Sequence, residues 1–182
     1  VGVADYQFNR IYNRKLKGSL NGEINFCIKA LSPNSSLLRR KMISGGIKKN
    51  QLSIALIIEL GEFKVFLGGD AEDQNINLFD KDLLEDINII KIPHHSSKTS
   101  KFLPILLTAI SKNKNSTIAC TTVSRTHKLP NMDIIEEYKT CSKTILSTGS
   151  CDSKDDTENY GIIEITFSPH DNKIKYRKTK NV

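Results

Sequence analysis

The chain has 182 residues, 38% hydrophobic and 26% charged, which suits a single soluble domain able to bury a core without disulfide or metal staples. It has no apolar run of membrane-spanning length and no charged-then-apolar start of the signal-peptide kind. Twenty-seven Lys and Arg against 20 Asp and Glu leave a net charge of +7, which attracts phosphate-bearing partners, although a chain rich in Lys, Ile and Asn also gains such an excess from residue bias alone.

In chain order, residues 1–22 are polar and basic and are expected to form a loop, with one domain following over 23–182. Residues 23–31 (EINFCIKAL) alternate and read as a strand, stopped by Ser32-Pro33-Asn34-Ser35. Residues 35–50, basic and containing Gly45-Gly46, read as a loop. Residues 52–60 (LSIALIIEL) and 63–67 (FKVFL) flank Gly61-Glu62, which is a hairpin signal. After Gly68-Gly69-Asp70, residues 71–85 carry loosely amphipathic spacing and predict a helix. Residues 87–92 (INIIKI) predict a buried strand that stops at Pro93-His94-His95-Ser96-Ser97. A helix over 102–110, a strand over 116–123, a helix over 131–139 behind Pro130 and a short strand over 143–146 follow. Residues 160–167 and 173–178 predict a closing hairpin around Pro169-His170-Asp171-Asn172. Strands alternating with helices, with hairpins at both ends, describe an α/β protein with a mixed sheet and flanking helices. Cys27, Cys120, Cys141 and Cys151 show no CxxC spacing. Cys27 and Cys120 lie in apolar runs as small core residues, and a cytoplasmic, reducing setting is expected.

Candidate chemistry sits at strand ends. Asp70 follows a buried strand directly, beside glycines that permit close approach. His94 and His95 follow the next one, and adjacent side chains point in different directions, so one can face a metal while the other orients it or binds substrate. Imidazole and carboxylate are standard zinc ligands. His127 lies in the loop after the strand beyond. In open α/β sheets, sites form outside the carboxyl ends of strands, where all of these fall. Taken singly, a Gly-Asp is most often a turn and a loop histidine most often solvated. Their ordered recurrence at successive strand ends is what points to one site.

The run from Asn50-Gln51-Leu52-Ser53 to Gly68-Gly69-Asp70 resembles the metallo-β-lactamase domain of ComEC-like DNA-uptake proteins, which have an Asn-x-x-Ser strand, a hairpin and a strand ending in Gly-Asp. Residues 89–100 (IIKIPHHSSKTS) are similar to that family's LKVPHHGSKTS, and His127 with Pro130 resembles its Gly-His-Pro loop. The resemblance covers about 24–176. It departs from the family at Ser96, where Gly is usual, at Gly69, where Thr is common, and at Lys128 and Leu129, which separate His127 from Pro130. The family's first metal motif, His-x-(His/Asp)-x-Asp-His, is absent, since all four histidines lie at position 94 or later. With Val as first residue, the expectation is that this motif lies upstream and that the chain is the C-terminal portion of the four-layer αββα metallo-β-lactamase fold.

The resemblance implies a metal-dependent hydrolase acting on phosphodiesters such as DNA or RNA, with two zinc (or manganese) ions. Asp70 would bridge the ions, His94 or His95 would ligate one, and His127 would contact phosphate or protonate the leaving group. Ser97 and Lys98 would bind a phosphate oxygen by hydrogen bond and charge. Two other readings stand beside it: an inactive module of the same fold that binds nucleic acid or a protein, and a metallo-hydrolase of lactones or thioesters.

Overall fold

The computed structural model describes residues 10–17, 23–33, 39, 43, 45–46, 48–112, 114–124, 126–149, 161–168 and 173–180. Seven strands form one sheet in sequence order: β1 (Arg10–Lys17), β2 (Glu23–Ser32), β3 (Ala55–Leu60), β4 (Phe63–Leu67), β5 (Ile89–Lys91), β6 (Ile118–Thr121) and β7 (Thr144–Ser147). Pairing is antiparallel from β1 to β4 and parallel from β4 to β7. Parallel neighbours need crossovers, so the helices α1 (Asp73–Ile76), α2 (Pro104–Ser111) and α3 (Met132–Cys141) fall between β4 and β7. The strands β8 (Gly161–Ser168) and β9 (Lys173–Lys180) pair, among the described residues, with each other alone. This is an α/β protein with a mixed sheet. Among the described residues, no helix is long and apolar enough to cross a membrane.

Most expected elements form, shortened or shifted by a few residues. The β3–β4 hairpin turns at Gly61, whose φ of 60° lies in the left-handed region. Two expectations fail. The segment expected to be a loop over 1–22 contains β1, which pairs with β2 from Arg10↔Lys29 to Lys17↔Glu23. An edge strand satisfies its backbone on a neighbour and needs no apolar run of its own. The helix expected over 71–85 is broken into α1 and a 3-10 turn at Lys81–Leu84. Polar side chains compete there with the helical ladder. Asn77 Oδ1 accepts from Leu103 N at 2.9 Å, and Asp80 Oδ1 accepts from Asp82 N at 3.0 Å. The loop expected over 35–50 lies largely outside the described residues. Its end joins a 3-10 turn, Lys49–Leu52.

Alternation along the strands divides the core in two. Ile57, Phe66, Ile90 and Ala119 face the helices and meet Phe102, Leu106, Ile110, Ile134 and Tyr138. Phe66, Phe102 and Tyr138 form a chain of tilted rings with centroids 6.0 and 5.6 Å apart. Phe63, Ile89, Ile118 and Cys120 point to the other face, against Ile163, Ile165, Phe167 and Ile174 of the β8–β9 hairpin. Burial pushes the Cys120 thiol up to about 11, consistent with its expected role as a small core residue. The layers therefore run helices, sheet, hairpin.

The hairpin is fastened by Phe167 stacked on Phe63, with centroids 4.0 Å apart and rings 8° from parallel, and by Gly161 N donating to Thr148 O at 2.6 Å. Phe167→Ala is expected to cost about 2 kcal/mol, from lost apolar burial and ring stacking. Urea denaturation measures this, and a loss under about 0.5 kcal/mol, the level of an ordinary surface substitution, would mean that the stack does not hold the hairpin down.

Candidate functional site

The site forms where β4 and β5, the first parallel pair, end side by side. Gly68 N donates to Lys91 O at 3.2 Å, and His94 N donates to Gly69 O at 2.8 Å. Side chains at Gly68 and Gly69 would prevent this. A Cβ at Gly68 would lie 2.9 Å from Pro93 Cα, and one at Gly69, whose φ is 54°, would lie 2.8 Å from Ser53 Oγ. Asp70 follows, its backbone N–H donating to Ser53 Oγ at 2.8 Å.

Beyond Pro93 the chain makes a left-handed turn of three successive non-glycine residues: His94 (φ 45°), His95 (φ 52°) and Ser96 (φ 59°). Each costs roughly 1–2 kcal/mol, so the turn persists only because its surroundings hold it. Ser96, fully buried, shares a hydrogen bond with buried Thr121 (Oγ–Oγ1 2.7 Å). Ser96 O accepts from Asn131 N at 2.9 Å, and His94 O accepts from Ser97 N at 2.9 Å.

The turn sends the two imidazoles to different carboxylates. His95 Nε2 lies 3.8 Å from Asp70 Oδ1, and His95 Nδ1 shares a 2.6 Å hydrogen bond with Thr122 Oγ1. His94 turns to the more enclosed Glu72, with Nδ1 3.7 Å from Oε1. Asn50 Nδ2 donates to Glu72 Oε1 at 3.1 Å and lies 3.3 Å from His94 Nε2. The other ring nitrogen, His94 Nδ1, shares a 3.1 Å hydrogen bond with Thr99 Oγ1. Both nitrogens of His94 are thus engaged by protein. Of the two histidines, only His95 presents a nitrogen to Asp70.

Supporting residues fix these groups. Asn75, fully buried, donates to Ser32 Oγ and to Gln51 O, both at 2.8 Å, which ties the Lys49–Leu52 turn to α1 and places Asn50 and Ser53 beside the strand ends. Lys91, partly buried on β5, donates to Ile92 O at 2.8 Å. Burial lowers its pKa, and the Asp70 and Cys120 charges oppose that shift.

Ser97 and Lys98 form the next turn. Ser97 Oγ accepts from Thr99 N at 3.4 Å, and the Lys98 side chain is exposed. His127 is exposed on the loop closed by the paired backbones of Ser124 and Leu129. Among the described residues, no three His, Cys, Asp or Glu side chains are grouped to hold a metal ion, so Asp70 and His95 stand as a pair. As donors that pair fits part of a zinc shell. Ligands at about 2.0–2.2 Å around a tetrahedral ion lie about 3.4 Å from each other, so the observed 3.8 Å needs only a small closure. Sequence reasoning missed Thr121, Thr122 and Glu72, although hydroxyls at a strand's end and a carboxylate two positions after Asp70 were visible signals. No family model matches the chain, and no curated protein and no solved structure matches it.

Proposed function

We propose that this chain is the ion-contacting part of a metal-dependent hydrolase of phosphodiesters, with the αββα layering of the metallo-β-lactamase-like family. The carrying observation is the convergence of Asp70 and His95 from the ends of adjoining parallel strands, 3.8 Å apart. The order of helices, mixed sheet and packed hairpin supports that reading without fixing it. The chemistry that a bound divalent cation supplies in such a site is acidification of water and neutralisation of phosphate charge. Asp70 contributes the anionic ligand and His95 Nε2 the neutral one. Ser97 and Lys98, on the turn that follows, hold a phosphate oxygen by hydrogen bond and charge. His127, on the loop beyond β6, contacts phosphate or protonates the leaving group.

A second reading, an ion-free module that binds nucleic acid or a protein, is favoured by the absence of a third grouped donor among the described residues. Titration with zinc, followed by histidine ring resonances and a metal-dependent nuclease assay, separates the two. The hydrolase reading expects His95 to respond to zinc. Half-saturation should lie above the micromolar range, because two protein ligands fall short of the roughly three that a catalytic zinc takes. Residues 1–182 alone should then show no nuclease activity. A His95 ring that ignores millimolar zinc sinks the hydrolase reading. Sub-micromolar binding with turnover would show instead that the shell is complete within these residues.

A further inference from the structure

We propose that two copies of this chain pair as a weak, two-fold symmetric dimer through one face of the antiparallel half of the sheet. Strand register sets directly opposed residues in rows across β2, β3 and β4. Two rows are Ile28–Ile58–Val65 and Ala30–Leu56–Leu67. A third, Phe26–Leu60–Phe63, lies beside the β3–β4 turn. All three rows share one face, and every position in them is apolar. The charged residues of the same stretches, Lys29, Glu59 and Lys64, alternate onto the opposite side, where Lys29 Nζ and Glu59 Oε1 pair at 2.7 Å. The β8–β9 hairpin covers only part of the apolar side. The core beneath it takes in Phe63 and Val65 of β4 but no residue of β2 or β3. The other positions of the three rows enter neither half of the core. Leu67 is 36% exposed and the rest are half-buried.

A second copy fits this face on three grounds. The first is continuity with the hairpin, which shows that this side of the sheet takes a β layer laid flat upon it. The three-strand face of another copy is such a layer. The second is charge. The rows hold no ionisable side chain, so setting the face against its own symmetry image buries apolar groups on apolar groups and strands no charge. The third is area. Strands about 4.8 Å apart, with same-face residues about 6.8 Å apart along each, give three rows a plan area of roughly 300 Å². That matches the largest apolar patch of a typical monomer, which is often functional. It falls short of the roughly 800 Å² per partner of a stable interface. The dimer is therefore weak, half-dissociated on the order of 100 μM, and the +7 net charge on each copy opposes it.

Analytical ultracentrifugation from about 10 μM to about 1 mM tests this, with a monomer-to-dimer shift expected in the wild type. Ile58→Lys, at the centre of the three rows, enters a symmetric interface twice and should weaken association by at least about tenfold. In the monomer its long stem carries the ammonium to water, so the thermal melt should be kept. Ile105→Lys, at a position 57% exposed on α2 and so on the helix side of the sheet, should leave association unchanged. Raising salt from about 50 mM to about 500 mM should tighten the dimer, because it screens the like net charges and spares the apolar contact. Should Ile58→Lys fail to fold, Leu67→Lys at the exposed end of β4 gives the same reading. A chain that stays monomeric up to about 1 mM overturns the proposal and leaves the face to a different polypeptide. A dimer indifferent to the substitutions at 58 and 67, one weakened equally by Ile105→Lys, or one that salt loosens overturns it as well. No ion enters these measurements, so their outcome is separate from that of the hydrolase reading.

Discussion

On the hydrolase reading, Asp70→Ala is expected to weaken zinc binding by more than the roughly 10–100-fold that loss of an outer-shell partner costs. The cause is the loss of the anionic half of the Asp70–His95 pair, which leaves His95 Nε2 as a lone neutral donor. The fold should hardly notice. The Asp70 side chain is 53% exposed, and what ties this position to the framework is its backbone N–H on Ser53 Oγ, which alanine keeps. Exposed substitutions of this kind stay within about 0.5 kcal/mol, a shift of about 1–2 °C in Tm for a domain of this size. Calorimetric zinc titration beside a thermal melt checks both halves. Zinc affinity equal to wild type would remove Asp70 from the site, and a collapsed melt would make it a structural residue instead.

Gly68→Ala should do the reverse, damaging the framework although the residue has no chemistry. The added Cβ would lie 2.9 Å from both Cα and Cβ of Pro93, a ring clamped between β5 and the left-handed turn. Neither side has a flexible end to swing away. Overpacking of this kind costs about 3 kcal/mol, at the upper end of its usual range. That corresponds to a fall of about 6–12 °C in Tm. The two strand ends would part together with the groups they carry, so zinc response at His95 should weaken too. A melt unchanged from wild type would mean that β4 and Pro93 do not approach as closely as described.

These two residues show what could be read without coordinates. Gly68-Gly69-Asp70 and Pro93-His94-His95 were visible as strand stops, because long apolar runs such as 52–60 and 87–92 identify strands by composition alone. The choice between His94 and His95 was not visible. It depends on three left-handed residues in a row, a conformation that no propensity of His or Ser announces, and on Asn50, 44 positions away along the chain. The β1 strand was hidden for another reason. Its identity comes from the backbone of β2, so its own polar sequence argued against it. The broken helix over 71–85 failed because periodicity registers apolar spacing but not the tertiary bond from Leu103 N that engages Asn77. Strand positions were legible where burial dictates residue type, and the site geometry was not, because it is set by bonds across long sequence separations.

β1 and β9 have a consequence for how the molecule keeps to itself. β1 ends the main sheet and β9 is one of only two strands in its hairpin, so each offers backbone groups that another chain could pair with. Their sequences, RIYNRKLK and KIKYRKTK, hold nine basic and no acidic residues, more than the chain's whole net excess of +7. By composition, strands so rich in basic residues and without acidic ones are poor templates for pairing with a like-charged copy. The positive balance that looks like bait for phosphate thus also works as a guard against aggregation, and it is a guard that dissolved salt weakens by screening.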